Sequence, residues 1–451
     1  MNSFRFHRFL SICLSGLLFV LLAACGPKPP PTTTGPTSTS GGTATPGTGT
    51  TSSPTPIVTT VPVPPTQTGC PAAGTARAAV LAPLALGSHQ NVVYIVNESR
   101  GITPTFGTLK RYDVTTGGKT EIVKLANLSI SDAQVSADGQ WILFVSGAAR
   151  ASGRLQLIRM DGQGLQTLYC DTTSSNFQWS TNQQLIAFES KSGSTGFVKL
   201  LRVADGTIQI ALSQPLNTLY DYQLRTWLDT TRLYLTRGDT DVPPDGLAVL
   251  DLQKGLHQTV SDLVPVVNPR EPGHGQLLDF DSSYDGAHVF VAHSPCAYAC
   301  SGPGDITVQP ALGGVEHTIY SSQAYSVVQV RVVTQKTLLF RVGNYSIPDR
   351  SSGDLSHNGL WMVHTDGTGV TRLTTDGANL YTNLNADSRY PWSNVSRDGN
   401  LYALEQQTPQ TPGHPGTVTL FFGSLSGGTP TRFAWVSDGT GLSIVGWTTM
   451  S

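Results

Sequence analysis

The stretch Val135-Ser-Ala-Asp-Gly-Gln-Trp-Ile-Leu-Phe144 is the most regular copy of a short motif that recurs along this 451-residue chain. Its apolar ends have the composition of β-strands, and its centre is Asp138-Gly139. Asp and Gly tolerate the positive φ angles that tight hairpins need. The motif therefore predicts a strand, a turn and a second strand.

Five further copies follow the first at intervals of 44, 48, 55, 49 and 64 residues, and they begin at Trp179, Trp227, Ser282, Arg331 and Val395. A second hairpin follows most copies, as in Leu155–Gly162 and Leu165–Leu168. Four short strands in each repeat of this length are typical of a β-propeller blade. A stack of β-solenoid turns is the alternative, but its period would be shorter.

The two ends of the chain complete the count. Three strands are predicted before the first copy, at Val92–Val96, Leu109–Val114 and Thr120–Leu125, and a single strand, Ile444–Thr448, is left over at the end. Pairing this last strand with the first three gives a seventh blade and leaves no open sheet edge at the ring closure. We therefore predict an all-β fold, a seven-bladed propeller of four-stranded blades closed by the C-terminal strand.

The repeat resembles that of the TolB-type periplasmic β-propeller. Trp179-Ser180, the Asp-Gly turn and the second strand Ile186-Ala187-Phe188 carry the resemblance, which extends over residues 90–450. Asn182-Gln183 and Thr334-Gln335 depart from the pattern. There is also no sign of the separate α/β domain of TolB itself, so the resemblance implies the fold and a general binding habit rather than the role of TolB in the envelope.

The N-terminus has the order of a secretion signal. Arg5 and Arg8 precede an apolar stretch over residues 9–24, and Leu22-Ala23-Ala24-Cys25-Gly26 resembles the bacterial lipobox. This predicts a signal peptide over residues 1–24, lipidation of Cys25, and an extracytoplasmic protein anchored to the bacterial membrane, on its outer or periplasmic side. The alternative is a short uncleaved membrane anchor.

Residues 26–69 consist almost entirely of Pro, Thr, Ser, Gly, Val and Ala, with Lys28 as the only charge. Such a segment buries too little apolar surface to offset the entropy of ordering. We therefore predict three regions: the signal peptide over 1–24, the lipid anchor with a disordered tether over 25–69, and the propeller over 70–451. An O-glycosylated stalk is compatible with the same composition.

Four cysteines belong to the predicted propeller. Outside the cytoplasm an even number favours disulfides. Cys296 and Cys300 are predicted to pair within one loop, and by elimination Cys70 would pair with Cys170. Zinc binding at Cys296-x-x-x-Cys300 is the alternative, but no neighbouring ligand pair completes a tetrahedral site. We therefore expect no metal or other cofactor.

The charge balance and the motifs exclude several functions. Loss of Arg5 and Arg8 with the signal leaves 26 basic residues against 30 acidic residues, with no basic patch, so we expect no nucleic-acid partner. The chain contains no Gly-x-Ser-x-Gly elbow, no phosphate-binding Walker loop and no His-Glu-x-x-His. We therefore assign no catalytic residue.

The links between predicted strands suggest a binding surface. One face of the propeller would carry the long links 98–107, 238–246, 261–276, 294–304, 343–358, 376–391 and 405–416, and the other face only short turns. Aromatic and arginine side chains are favoured at interface hot spots. The predicted partner-binding residues are Arg270, His274, Tyr298, Tyr345, Arg350, Tyr381, Arg389, Tyr390 and Trp392. Sequence drift in tolerant loops would explain the same pattern.

The resulting hypothesis is a surface-tethered, non-catalytic propeller that binds a protein, a peptide or a glycan. The alternative is a propeller-class enzyme, a glycan lyase or hydrolase, that uses carboxylates in the central channel. Two such carboxylates ~5–10 Å apart would favour the enzyme.

Overall fold

The protein is described from a computed structural model. The structure describes residues 69–71, 83–85, 87–100, 103–148, 153–172, 176–216, 221–238, 245–268, 275–294, 303–343, 355–376, 381–384, 390–408, 416–436 and 441–450. The predicted signal peptide, Cys25 and almost all of the tether lie outside these residues, as do Cys296 and Cys300. No helix in the described part of the chain is long and apolar enough to cross a membrane.

Seven antiparallel sheets, numbered as blades in chain order, form the ring that the sequence predicts. Blade 1 contains β1 (His89–Arg100), β2 (Thr103–Asp113) and β3 (Lys119–Ala126). Blade 2 contains β4 (Ser129–Val135), β5 (Trp141–Gly147), β6 (Gly153–Arg159) and β7 (Gln166–Thr172). Blade 3 contains β8 (Phe177–Trp179), β9 (Leu185–Ser192), β10 (Thr195–Arg202) and β11 (Ile208–Pro215).

The remaining blades follow the same plan. Blade 4 contains β12 (Asp221–Trp227), β13 (Arg232–Gly238), β14 (Gly246–Asp251) and, after the two-residue strand β15 (Gln258–Thr259), β16 (Val264–Val267). Blade 5 contains β17 (Gln276–Ser282), β18 (His288–Ser294), β19 (Gly304–Pro310) and β20 (His317–Ser322). Blade 6 contains β21 (Val327–Thr334), β22 (Thr337–Val342), β23 (Gly359–His364) and β24 (Thr371–Arg372). Blade 7 contains β25 (Tyr381–Asn383), β26 (Leu401–Thr408), β27 (Thr417–Ser424) and β28 (Thr431–Val436).

The last strand, β29 (Gly441–Met450), closes the ring. It pairs antiparallel with β1, with Val92 opposite Trp447 and Tyr94 opposite Ile444, and becomes the inner strand of blade 1. The predicted closure is confirmed. Blade 3 has an addition that the sequence did not indicate, because β15 crosses from blade 4 and pairs in parallel with the outer edge of β11.

The hydrophobic core is divided into seven clusters of buried side chains, one between each pair of neighbouring blades. Trp447 of β29, for example, is fully buried in the cluster between blades 7 and 1. The alternation along each strand places one set of apolar residues against the preceding blade and the other against the following blade. Each blade is therefore stabilised by both of its neighbours.

The recurring turn is built by local hydrogen bonds. In blade 2 the Asp138 carboxylate accepts from the Ser136 hydroxyl and from the Gln140 backbone N–H, while the Trp141 N–H donates to Ser136 Oγ. The same contacts recur in blades 3, 5 and 7. Gly139 has a φ of 75° at the tip, and in blade 3 Gln183 takes this conformation with a φ of 61°. The departure of Asn182-Gln183 from Asp-Gly thus preserves the turn.

Two expectations about the links are wrong. We call the two sides of the ring the turn face and the loop face. The turn face carries the links from the first to the second strand and from the third to the fourth strand of each blade, and the loop face is the opposite side. The turn face is not uniformly short: residues 252–263 of blade 4 include 3-10 helices at Leu252–Lys254 and Val260–Asp262, and residues 384–400 separate β25 from β26. Conversely, β1 and β2 continue through most of the supposed link 98–107, and β16 lies within the supposed link 261–276.

One disulfide is present in the described residues. It joins Cys70 to Cys170 of β7, with the two Cα atoms 5.8 Å apart, and this is the pair that was reached by elimination. It fastens the start of the propeller region to the outermost strand of blade 2.

Candidate binding surface on the turn face

The central channel is crossed by a short segment near the turn face. Residues 390–394, here called the channel plug, comprise Tyr390 and the one-turn helix α1 (Pro391–Asn394). The Tyr390 hydroxyl donates to the carbonyl of Trp179 in blade 3, and Trp392 Nε1 donates to the carbonyl of Val135 in blade 2, 2.8 Å away. The plug thus connects blade 7 with two inner strands on the far side of the ring closure.

Tyr390 and Trp392 stack on each other with ring centroids 4.7 Å apart and planes 6° apart. Tyr390 is buried, and burial raises the pKa of its hydroxyl far above the usual value. Tyr390 was predicted as a partner contact, but its side chain is largely buried in the channel plug and borders only one of the cavities at the mouth, so its part in binding stays a prediction. Trp392 is only partly buried and lines the mouth of the channel.

Arg397 fixes the other side of the plug. Its guanidinium lies 4.9 Å from the Trp392 ring centroid and donates to the carbonyls of Trp447, Ala137 and Ser136 at 2.7–2.9 Å. These acceptors belong to blades 1 and 2, so one side chain of blade 7 bridges three blades. Burial lowers the pKa of Arg397 to about 10, opposed by the negative charge of Asp138, and the group stays cationic at neutral pH.

The second residue of each recurring turn, between the Ser and the Asp or Asn, lies at the mouth of the channel on the turn face. Cavities of about 590 and 420 Å³ at the mouth are lined by Ala137, Thr181, Tyr284 and Arg397, together with Pro391 and Trp392 of the plug. The first and third residues of each turn make its hydrogen bonds, whereas the second residue differs from blade to blade. The repeat therefore gives the mouth one variable side chain from each of these blades.

Tyr284 is the prominent side chain at this position. It lines both cavities and also a third of about 800 Å³, here called the radial groove, which runs outward between blades 5 and 6. The ring is 56% exposed although it is large and aromatic. The Asp285 carboxylate holds its turn by accepting from Ser283 Oγ at 2.6 Å and from the Ala287 N–H at 3.0 Å. Tyr284 is thus an exposed aromatic on a rigid support.

The radial groove is mostly apolar, with a few ionisable groups. Phe290, Val308, Pro310, Val315 and Val332 line it, together with Lys336, His288, His317 and Asp285. Hydrogen bonds from Ser283 and Ala287 hold the pKa of Asp285 below its usual value, so its carboxylate is already engaged as an acceptor. A pocket of this size with few polar groups has the character of a ligand or peptide site.

Exposed apolar side chains of the described residues concentrate in the same region. Six of the seven large ones lie in turn-face links of blades 4, 5 and 6: Leu256, Val260, Tyr284, Leu312, Val315 and Val370. The seventh, Trp435, lies on the outer strand of blade 7. We call these six residues the apolar arc. Val315 is 73% exposed. Clustered exposed apolar surface in a folded protein marks interaction sites more often than scattered single residues do.

The carboxylates on the inner strand of blade 5 have structural partners. Asp279 accepts from the Val330 N–H and from Arg331, and Asp281 accepts from the Val332 N–H at 2.8 Å. Both are buried, at 6% and 1% exposure. They join blade 5 to blade 6 and are not presented to a substrate. Among the described residues, no group of three or more His, Cys, Asp or Glu side chains is arranged to hold a metal ion.

Most of the sequence-predicted contact residues lie outside the described residues: Arg270, His274, Tyr298, Tyr345, Arg350 and Arg389. The backbone of Tyr381 is described, and it begins β25, the inner strand of blade 7. The supposed link 376–391 therefore ends before Tyr381. Tyr381 starts the strand at the loop face, whereas Tyr390 and Trp392 lie near the turn face, so these predicted contact residues do not share one face.

The similarity of this chain to known proteins is confined to solved structures. No family model matches the sequence, and no curated protein matches it. Solved structures are similar to it. TolB from Acinetobacter baumannii is 12% identical over 62% of each chain, with a TM-score of 0.41. A protein provisionally described as TolB from Agrobacterium tumefaciens is 15% identical over 63% of this chain and 89% of its own, with a TM-score of 0.40.

A third similar structure is a protein provisionally described as a 6-phosphogluconolactonase from Bacteroides fragilis, 14% identical over 81% of this chain and 100% of its own, with a TM-score of 0.47. The seven-bladed propeller that the TolB-type resemblance implies is present in the structure itself. Because this chain matches less than two thirds of the Acinetobacter TolB chain and all identities are low, no activity or partner of these proteins is transferred.

Proposed function

We propose that this protein is a lipid-tethered, extracytoplasmic and non-catalytic propeller whose turn face binds a protein partner. The observation that carries the proposal is the apolar arc, two of whose members, Tyr284 and Val315, line the radial groove. Exposed aromatic and apolar side chains beside a preformed groove supply hydrophobic binding energy with little loss of conformational entropy. A polypeptide side chain matches the mostly apolar groove better than a glycan does.

The proposed location depends on the N-terminus. Lipidation at Cys25 would attach the chain to the membrane, and the tether would allow the propeller to reach a partner at a distance. Replacing Cys25 with alanine is expected to abolish labelling by radioactive palmitate and to release the protein from the membrane fraction. Unchanged labelling of the Cys25→Ala variant would exclude this anchor.

The binding surface is tested with the soluble propeller, residues 70–451, as bait for envelope proteins. Once a partner is recovered, the double variant Tyr284→Ala, Val315→Asp is expected to weaken binding by ~2 kcal/mol or more, which is roughly 30-fold in Kd. Trp435→Ala is the matched control, because Trp435 is 55% exposed but lies outside the apolar arc. Equal affinity of all three proteins would contradict the proposed turn-face site.

The loop-face residues predicted from the sequence stay a second proposed surface. Paired substitution of Tyr345 and Arg350 by alanine addresses it in the same assay. A loss of affinity in this pair, with none in the Tyr284 and Val315 variant, would move the site to the loop face and retain the non-catalytic binding function.

A further inference from the structure

The chain enters the propeller through two attachments of different kinds. The first is covalent, through the disulfide between Cys70 and Cys170, which are 100 positions apart in the sequence. The second is non-covalent: the Leu84 N–H donates to Gln140 Oε1 at 2.9 Å, and the Leu84 side chain packs against the cluster between blades 1 and 2. In the proposed tethering, the tether and the membrane anchor precede both attachments in the sequence.

The non-covalent attachment leads directly to the closure of the ring. β1 starts at His89, five residues after Leu84, and His89 and Gln90 are paired with Met450 and Thr449 of β29. These pairs are the first of the closure. A pull on His89 from the N-terminus would strip the hydrogen bonds between β1 and β29 one after another, because the load would act on the end of the ladder.

The disulfide changes this path. Force arriving at Cys70 passes through the sulfur–sulfur bond to Cys170 and enters β7, the outermost strand of blade 2. The chain between the two cysteines, which contains β1 and all of blade 1 except β29, lies in parallel with a covalent bond and carries almost none of the load. Covalent bonds are far stronger than the hydrogen bonds of a strand ladder.

We propose that the Cys70–Cys170 disulfide carries the mechanical load between the membrane tether and the propeller, and that it shields the β1–β29 closure from tension. This inference rests on the proposed tethering. Tension arises whenever the turn face holds a partner while the N-terminus is held at the membrane.

The load then has a defined route through the ring. From blade 2 to the apolar arc on blades 4–6, the direct way crosses the contacts between blades 2 and 3 and between blades 3 and 4. A buried glutamine side chain joins the two blades at each of these contacts. Gln134 binds the carbonyl of Phe177 and the N–H of Trp179, and Gln214 binds both backbone groups of Tyr222. The opposite way crosses the closure. The load that enters at β7 can therefore reach the arc without passing through the closure.

Single-molecule force spectroscopy tests the inference on the chain from residue 26 to residue 451. One handle is attached at the N-terminus and the other at position 284 through Tyr284→azidophenylalanine, which imitates a partner on the turn face. The oxidised protein is compared with the Cys70→Ser, Cys170→Ser double variant. A second comparison reduces the folded oxidised protein with a dithiol between pulls, which avoids any failure of the variant to fold.

Without the disulfide, we expect an early low-force step from the release of β1, a lower first-rupture force, and a total extension longer by ~36 nm, from 100 residues at ~3.6 Å each. With the disulfide the early step should be missing. Equal first-rupture forces with and without the bond would overturn the proposal. The result does not depend on lipidation, so failure of the Cys25 anchor and failure of the disulfide to carry the load are distinguished.

Discussion

Asp113 stabilises the third strand of blade 1 through three hydrogen bonds. It accepts from His89 at 2.9 Å and from the backbone N–H groups of Thr115 and Thr116 at 2.8 and 3.2 Å. Burial alone would raise the pKa of this carboxyl, but the hydrogen bonds from His89, Thr115 and Thr116 outweigh it and hold the pKa at about 2. The carboxylate is therefore favoured by the folded state.

The sign of the pH dependence follows from that shift. Because the folded pKa of Asp113 lies below the unfolded value of 3.8, its contribution is fully present above pH 4 and is lost as the pH falls towards 2. We expect Asp113→Asn to lower the free energy of unfolding at pH 6 and to match the wild type near pH 2. Urea unfolding at several pH values measures this, and a difference that is constant with pH would contradict it.

Glu189 shows the opposite behaviour. Its carboxyl is buried between blades 3 and 4, where Oε1 accepts from the Leu224 N–H at 2.5 Å and Oε2 from the Asn176 side chain at 2.9 Å. Burial raises its pKa, against the effect of these hydrogen bonds. The folded state thus favours the protonated form, and ionisation at neutral pH costs stability.

We expect Glu189→Gln to keep the acceptor for Leu224 and to remove the buried charge. The variant should be more stable than the wild type at pH 7, and the difference should vanish at acid pH, where the wild-type carboxyl is protonated in both states. Glu189→Ala is the contrasting variant, because it leaves the Leu224 N–H unpaired and should destabilise by about 1–3 kcal/mol. A Glu189→Gln variant less stable than the wild type at pH 7 would show that the carboxylate itself is needed.

At the scale of the element, side chains of one blade bind the inner strand of the next. Asn97 of blade 1 binds both backbone groups of Ile130, Gln329 of blade 6 accepts from Leu384, and Glu405 of blade 7 accepts from Ile444. Each of these contacts satisfies a backbone group at the edge of an inner strand. Buried polar groups need such partners, so these contacts set the angle between neighbouring blades as well as stabilising them.

Gln134 is the clearest test of these inter-blade contacts. Its buried amide donates to the Phe177 carbonyl and accepts from the Trp179 N–H, both at 3.0 Å. Gln134→Leu keeps the bulk but leaves both backbone groups unpaired, and we expect a loss of about 2–4 kcal/mol in the free energy of unfolding. The exposed Gln253→Leu is the control and should change little. Similar melting temperatures for the two variants would contradict the assigned role.

The elements differ in how far the sequence could predict them. The turn is predictable because Ser136, Asp138 and Gly139 act on one another within a few residues. The inter-blade contacts are not, since Gln134 and Phe177 meet only in the ring. In blade 7 the sequence places the first strand at the copy that begins with Val395, whereas the structure has it at β25 (Tyr381–Asn383), with only an isolated bridge between Val395 and Tyr402. Tyr390 and α1 belong to the insertion between these two points. The aromatic residues of that insertion pack across the channel, a use that composition does not distinguish from an interface.

At the scale of the whole molecule, stability depends on joining two distant ends of the chain. β29 supplies the inner strand of blade 1, and Arg397 ties blade 7 to the carbonyls of Trp447 and Ser136 in blades 1 and 2. The spare strand at Ile444–Thr448 could be predicted from counting strands. The hydrogen bonds of Arg397 could not be predicted, because their acceptors are backbone carbonyls, which are present in every sequence.

Two tryptophans of the last two strands allow the closure to be tested with a matched pair. Trp447 of β29 is fully buried between blades 7 and 1, whereas Trp435 of β28 is 55% exposed on the outside of blade 7. Trp447→Ala should cost ~3–5 kcal/mol, because it leaves a cavity at the point where the ring closes. Trp435→Ala should cost much less. Thermal unfolding under identical oxidising conditions measures both, so that the disulfide is intact in each protein.

The consequence for the ring goes beyond the cavity. If β29 detaches in the Trp447→Ala variant, β1 loses one of its two partners, and the amides of Val93 and Ile95, which face Gly446 and Ser443 of β29, become open to exchange together. Hydrogen exchange should therefore show a joint loss of protection in β1 and β29, with little change in β12 and β13 across the ring. Protection lost evenly around all seven blades would instead show that the propeller unfolds as one cooperative unit, and that its closure is no weaker than its other inter-blade contacts.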